Sequence, residues 1–273
     1  MSQAISHTLD QPTTRDRYAR LCIVTAADIE FNAVAAVLGQ YSQSKIGQLK
    51  VCHGRWKNRE ITLLKSGVGA AGFAAQLTGH LATTSYDVLL IVGLAGGLDP
   101  QLKSGDTVIY DLCFSACFPS VTAKTKEQYN SEQNASIKCD VTLSQRLFEK
   151  LRAAALPCVR GAGLTIERVV VEAENKLALR VEYGAAAVDM ETYDVVDACI
   201  HAEVPTAALR VVLDEARDDL PDFNRALSAD GSMNVWRLLP LLLAHPIITA
   251  RFCLNLRRAM QALKRAVSAA LDL

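Results

Sequence analysis

Apolar residues along this chain fall into short dense runs separated by stretches of helical periodicity. Leu21-Cys22-Ile23-Val24-Thr25 is continuous enough to be buried on both faces and reads as a first strand. Asp28–Leu38 reads as the helix after it, with Asp28 near its N-terminus. Leu49–Trp56 and Glu60–Ser66 form a predicted hairpin turned at Lys57-Asn58-Arg59. The pattern then predicts a helix over 70–82, strands at 88–93 and 106–112, and a polar, unpatterned loop over 118–138 of the kind that serves as a binding lid or stays disordered. A helix (142–154), strand (158–164), helix (174–182), strand (185–189), helix (191–202) and strand (205–212) follow. Buried strands alternating with helices predict an α/β fold, one domain with a mixed, mostly parallel twisted sheet flanked by helices.

The two ends differ from this core. Residues 1–19 are polar and predict a flexible tail, leaving 20–222 as the main domain and 223–273 as a C-terminal helical extension. In the extension, 238–243 and 247–271 read as helices broken at His245-Pro246. Phe252, Leu256, Met260, Leu263, Val267 and Leu271 recur at helical spacing, with Arg251, Arg258 and Arg265 on a separate stripe. From Gly231 to Leu271 there is no acid, against six basic residues: Arg237, Arg251, Arg257, Arg258, Lys264 and Arg265. Two readings stand. A basic amphipathic helix lies on an anionic membrane surface, or a terminal helix packs on the core or on a second subunit with its basic face solvated.

Composition narrows the class. Half of the 273 residues are apolar and 21% charged, so the chain has the material for a sizeable core and is not disordered. A formal net charge of zero argues against nucleic acid as a partner. Eight cysteines are scattered along the chain, most of them in apolar runs, the usage of reduced core residues in a cytosolic protein. Cys113 and Cys117 have no second pair and no nearby histidine, so no metal site is expected. Arg15, Asp16 and Arg17 sit where a secretion signal needs an apolar core. The uncharged stretch 238–250 is too short to span a bilayer and carries Pro240 and Pro246. The expected location is the cytoplasm, with peripheral attachment to the inner membrane surface if the basic helix binds lipid.

The chemistry concentrates where apolar runs meet glycine. Val88–Val92 runs into Gly93, Gly96 and Gly97, and Ile61–Ser66 runs into Gly67 and Gly69. Two such exits within 40 residues predict loops at the carboxyl edge of the sheet, where backbone comes close to a small molecule. Four acids stand at strand exits: Glu30, Glu167, Glu191 and Asp214. Singly, each is as well explained as a solvated acid at a helix start. Together, beside the glycines, they suit the acceptance of sugar hydroxyls and proton transfer.

Five segments in order resemble the nucleoside phosphorylase and nucleosidase superfamily, which includes the methylthioadenosine/adenosylhomocysteine nucleosidases. They are Thr25-Ala26-Ala27-Asp28-Ile29-Glu30, Lys65-Ser66-Gly67-Val68-Gly69, Gly93-Leu94-Ala95-Gly96-Gly97, Val188-Asp189-Met190-Glu191 and Arg210-Val211-Val212-Leu213-Asp214. The resemblance covers about residues 20–220 and implies a nucleoside-cleaving catalytic domain without a resident cofactor, phosphate being a possible co-substrate. It implies that Met190 and Glu191 hold the ribose, that Asp214 protonates or hydrogen-bonds purine N7, and that Glu30 orients the attacking water. Arg210 would stand near the nucleophile, Val169 and Val170 along the base. Ser66, Gly67, Gly96 and Gly97 would contact nucleophile or phosphate, with Lys65 and Arg168 as outside candidates.

Two positions depart from the hydrolytic pattern, Leu94 and Leu213, where those nucleosidases carry serine. The arginine-rich phosphate loop of the hexameric phosphorylases is also absent, so water and phosphate both remain open as nucleophile. Gly93–Pro100 and the C-terminal region are most similar to the hopanoid-associated phosphorylases, which implies a lipid-linked purine nucleoside of adenosylhopane type as substrate. The superfamily further implies a homo-oligomer. A binding module that kept the fold and lost catalysis is the contrasting possibility.

Overall fold

A computed structural model describes residues 18–47, 49–69, 72–116, 135–226 and 235–273. The predicted tail over 1–19 therefore lies almost wholly outside the described residues, as do Cys117 and most of the predicted loop over 118–138.

The order of elements follows the hydrophobic pattern. Strand β1 (Arg20–Thr25) leads into helix α1 (Asp28–Leu38). Three strands follow, β2 (Tyr41–Ile46), β3 (Leu49–Trp56) and β4 (Arg59–Lys65), then α2 (Phe73–Leu81) and β5 (Val88–Gly97). Next come β6 (Thr107–Ser115), β7 (Ala135–Lys138), α3 (Val141–Ala153), β8 (Cys158–Thr165) and α4 (Ala173–Tyr183). The chain continues with β9 (Ala187–Asp189), α5 (Thr192–His201) and β10 (Thr206–Asp214), and ends with α6 (Val235–Ala244) and α7 (Pro246–Ala270).

The sheet is mixed and curls upon itself. β5 pairs in parallel with β1 on one side and β10 on the other, and its last two residues, Gly96 and Gly97, pair antiparallel with Val188 and Ala187 of β9. β10 continues antiparallel to β6, β6 parallel to β8, and β8 parallel to β9. Five strands thus close a ring, β5–β10–β6–β8–β9, while β1, β4, β3 and β2 extend the sheet from β5 as an open wing. The carboxyl ends of β5 and β10 lie side by side, with Asp214 beside Gly96, and the short β9 crosses there in the opposite direction.

That ring corrects one expectation. The glycines after Val92 do not leave the strand for a loop: β5 runs through to Gly97 because Gly96 and Gly97 keep their ladder partners on β9. Glycine is needed there for what lies beside the strand. A Cβ on Gly93 would stand 2.5 Å from Arg210 Nη1 and 2.8 Å from Glu30 Oε1, and one on Gly97 would stand 3.0 Å from the Asp214 carbonyl oxygen. The predicted polar loop likewise ends early, since 135–138 form β7 against β6.

Helix α7 belongs to the principal core. Ala259, Ala262, Leu263, Ala266, Val267 and Ala270 are buried and join the cluster built from β1, β5 and β10. The buried stripe is shifted from the one formed by the largest side chains, because alanines let the helix lie close to the strands. The break before α7 falls where expected, with Pro246 in its first turn. No helix among the described residues is long and apolar enough to cross a membrane.

Candidate active site

Three of the four strand-exit acids line one cavity of about 170 Å³. Glu30, Glu191 and Asp214 share its wall with Val169, Val170, Met190, Gly96, Leu94 and Leu213. The fourth, Glu167, lines a neighbouring cavity of about 410 Å³, together with Ser66, Phe73, Asp194 and Val195. Met190 and Glu191 belong to both walls.

Glu30 lies in the first turn of α1, and its carboxylate faces three backbone donors. Oε2 accepts from Ala26 N at 3.0 Å and Ala27 N at 2.9 Å, while Oε1 accepts from Leu94 N at 2.7 Å. The side chain therefore ties the start of α1 to the far end of β5, and three donors hold it rigidly at the cavity wall.

Glu191 caps the start of α5 after the turn that leaves β9. Its Oε1 accepts from Gly69 N at 2.8 Å, and Arg210 Nη2 lies 3.5 Å from Oε2. Gly69 has φ +55°, and a Cβ there would meet Met190 Cε at 2.7 Å, so this turn requires glycine twice over. Burial pushes the Glu191 carboxyl up to about 7, against the opposing pull of Arg210.

Arg210 is almost wholly buried, at 1% exposure. Its Nε and Nη2 donate to Thr192 Oγ1 at 3.0 and 2.8 Å, and Nε lies 3.3 Å from Asp189 Oδ2. The guanidinium stands behind the Glu191 carboxylate and steadies it rather than lining the cavity. Asp189 completes this scaffold: its Oδ1 accepts from Thr165 Oγ1 and from the backbone N–H of Glu191 and Thr192. The sequence pattern singled out neither Asp189 nor Thr192. Asp189 sits between an apolar strand and Met190-Glu191, and that position is the signal that was available.

Asp214 ends β10 and is buried. Burial raises its carboxyl above the usual carboxylate range, while Lys176 pulls it down. Lys176 Nζ donates to Asp214 Oδ2 at 2.6 Å, with both side chains shielded from water.

The remaining expected contacts divide. Val169, Val170, Gly96 and Arg168 line the carboxylate cavity. Ser66 lines the larger one and donates its hydroxyl to Thr25 O and Gly67 O. Gly67 N donates to Ala26 O, and Gly97 packs against the Asp214 backbone. Lys65 forms an ion pair with Asp28 at 2.7 Å. Among the described residues no cluster of His, Cys, Asp and Glu is arranged to hold a metal ion.

With the geometry in view, comparison with known proteins decides the family. The phosphorylase superfamily model matches residues 20–238. The chain belongs to the phosphorylase superfamily. Among superfamily relatives, the 5′-methylthioadenosine/S-adenosylhomocysteine nucleosidase of Haemophilus ducreyi is 27% identical over 205 residues, covering 72% of this chain and 85% of that protein. Its counterpart from Mycobacterium tuberculosis is 25% identical over 253 residues, covering 81% and 97%. The crystal structure of the Neisseria meningitidis nucleosidase in complex with methylthio-immucillin-A superposes with TM-score 0.70 at 18% identity, over 93% of this chain and 99% of that one. Futalosine hydrolase of Helicobacter pylori gives 0.63 at 19% identity, over 87% and 97%. Superfamily membership makes the protein an enzyme, and the fold brings the carboxylates of three distant segments to one cavity.

Proposed function

We propose that the protein cleaves the N-glycosidic bond of a purine nucleoside, a 5′-substituted adenosine of the lipid-linked adenosylhopane type, and releases adenine. The observation that carries this reading is the single cavity lined by Glu30, Glu191 and Asp214. Each carboxylate has a separate task. Glu191 in its ionised form accepts the 2′ and 3′ hydroxyls of ribose, a two-donor geometry that fixes the sugar. Val169 and Val170 flank the base. Asp214 gives a proton to N7 as the C1′–N9 bond breaks, so the base leaves neutral with the bonding electron pair. Glu30 takes the proton of the nucleophile that adds to C1′.

The larger cavity adjoining at Met190 and Glu191 supports a sugar carrying a bulky substituent, with Phe73 and Val195 offering it apolar surface. Both nucleophiles suit parts of this site. Arg168 at the cavity wall favours phosphate as co-substrate. The Glu30 carboxylate with its three amide donors favours an oriented water, and the named nucleosidase relatives are consistent with that. Incubation with 5′-substituted adenosines, with and without phosphate, decides between them. Adenine with ribose 1-phosphate is expected of a phosphorylase, whereas adenine release independent of phosphate assigns water. No base release from any purine nucleoside overturns the proposal.

A further inference from the structure

Lys176 is fully buried, yet it lies on a helix whose other charges face outward. Its ammonium has three protons and three acceptors: Asp214 Oδ2 at 2.6 Å, Asp218 O at 2.6 Å and Glu215 O at 3.3 Å. A lysine taken wholly out of water is costly unless its charge is answered. Here the answering carboxylate is the one that faces the base. The same ammonium holds two carbonyls of the segment that leaves β10, so it joins α4 to the chain directly after Asp214.

The surroundings extend this arrangement. Leu220 N donates to Val171 O, and Asn224 exchanges two hydrogen bonds with the backbone of Val169, so the segment after β10 is tied to the wall along the base. Asp218 Oδ2 accepts from Glu215 N and Asn255 Nδ2, and its Oδ1 forms an ion pair with Arg251 of α7 at 2.6 Å.

We infer that Lys176 is the positioning residue of Asp214, fixing Oδ2 so that the carboxyl meets the base through Oδ1, and answering the negative charge left there when its proton goes to the base. This deepens the proposed glycosidic cleavage and rests on it for the identity of the proton acceptor. The step balances without another reactant: the O–H bond of Asp214 breaks, the N7–H bond forms, the C1′–N9 electron pair stays with the base, and the new carboxylate faces an ammonium already in place. Without the lysine that carboxylate would form in a buried setting, against the negative charge of Asp218. Arg251 offsets Asp218 from α7, while Glu30, Asp189, Glu191 and Arg168 are the other charged groups at the cavity wall.

The test pairs kinetics with a direct titration. Lys176→Met is expected to lower kcat at least about tenfold with KM within about threefold, and Lys176→Arg to recover part of the loss. On an Asp214→Asn background, Lys176→Met is expected to cost little further rate, whereas a purely structural lysine would cost the same on both backgrounds. Carbon-13 carboxyl NMR of aspartate-labelled full-length protein, with the Asp214 signal identified by its loss in Asp214→Asn, reads the carboxyl without substrate. Its titration is expected to move to higher pH in Lys176→Met and to return in Lys176→Arg. An unchanged Asp214 titration overturns the inference, as does an equal rate loss on both backgrounds. If wild type releases no base from any nucleoside, the functional proposal fails, while the titration still decides whether Lys176 governs Asp214.

Discussion

Glu191 carries a pH signature that follows from its burial. A carboxyl lifted to about 7 is largely protonated in mildly acidic buffer, yet the proposed acceptance of two ribose hydroxyls needs it ionised. Nucleoside affinity is therefore expected to rise as pH climbs from 6 to 8, by up to about tenfold per unit below 7, as calorimetric titration would show. Stability moves the other way. The folded form holds this proton more tightly than the unfolded chain does, so the contribution is full below the unfolded value of 4.5 and is lost as pH rises through 7. Glu191→Gln is expected to flatten the affinity profile. Asp214→Asn is expected to lower kcat by about 10²–10⁴-fold, to a residual rate that long incubations still read, while leaving ligand affinity within about tenfold, because the missing proton acts mainly in the transition state. These acids were legible in the sequence because each ends an apolar strand or opens the helix after one. Lys176 was not legible: on an amphipathic helix rich in charge, nothing local distinguishes the one lysine turned inward.

At the scale of elements, the strands buried almost throughout and the helices of periodic burial were the legible ones, and α1 runs over Asp28–Leu38 as its periodicity predicts. β2 was missed because all six of its residues are exposed, leaving no inward face to produce a pattern; it is held as an edge strand by β3 alone. β5 was read too short because glycine suggests a loop, whereas its partners on β9 are set by residues some ninety positions away. Gly93 is the position where this matters for chemistry. Gly93→Ala places a methyl group against both Arg210 and Glu30, and kcat/KM is expected to fall by more than about tenfold, measured as adenine release. In α7, Leu263 is fully buried in the principal core, and Leu263→Ala is expected to cost about 2–5 kcal/mol in a denaturant titration.

Across the whole molecule, closure of five strands into a ring was beyond sequence reasoning, since it depends on pairing order rather than on local pattern. The outer face of α7 was partly legible as a basic stripe. Leu243 and Ile247 are 72% and 84% exposed, with Leu254 and the exposed Arg257 and Arg258 on the following helix. A lipid-linked substrate predicts that the protein sediments with anionic vesicles at low salt, releases as salt rises, and binds less after Ile247→Asp. Glu30, finally, stitches the first helix to the central strand through amide donors on both of its oxygens. Glutamine offers only one oxygen, so its NH2 group must confront either Leu94 N or the Ala26–Ala27 pair. The substitution usually chosen as a silent stand-in for a carboxylate would here prise apart two neighbouring segments, and its melting temperature should drop along with its rate.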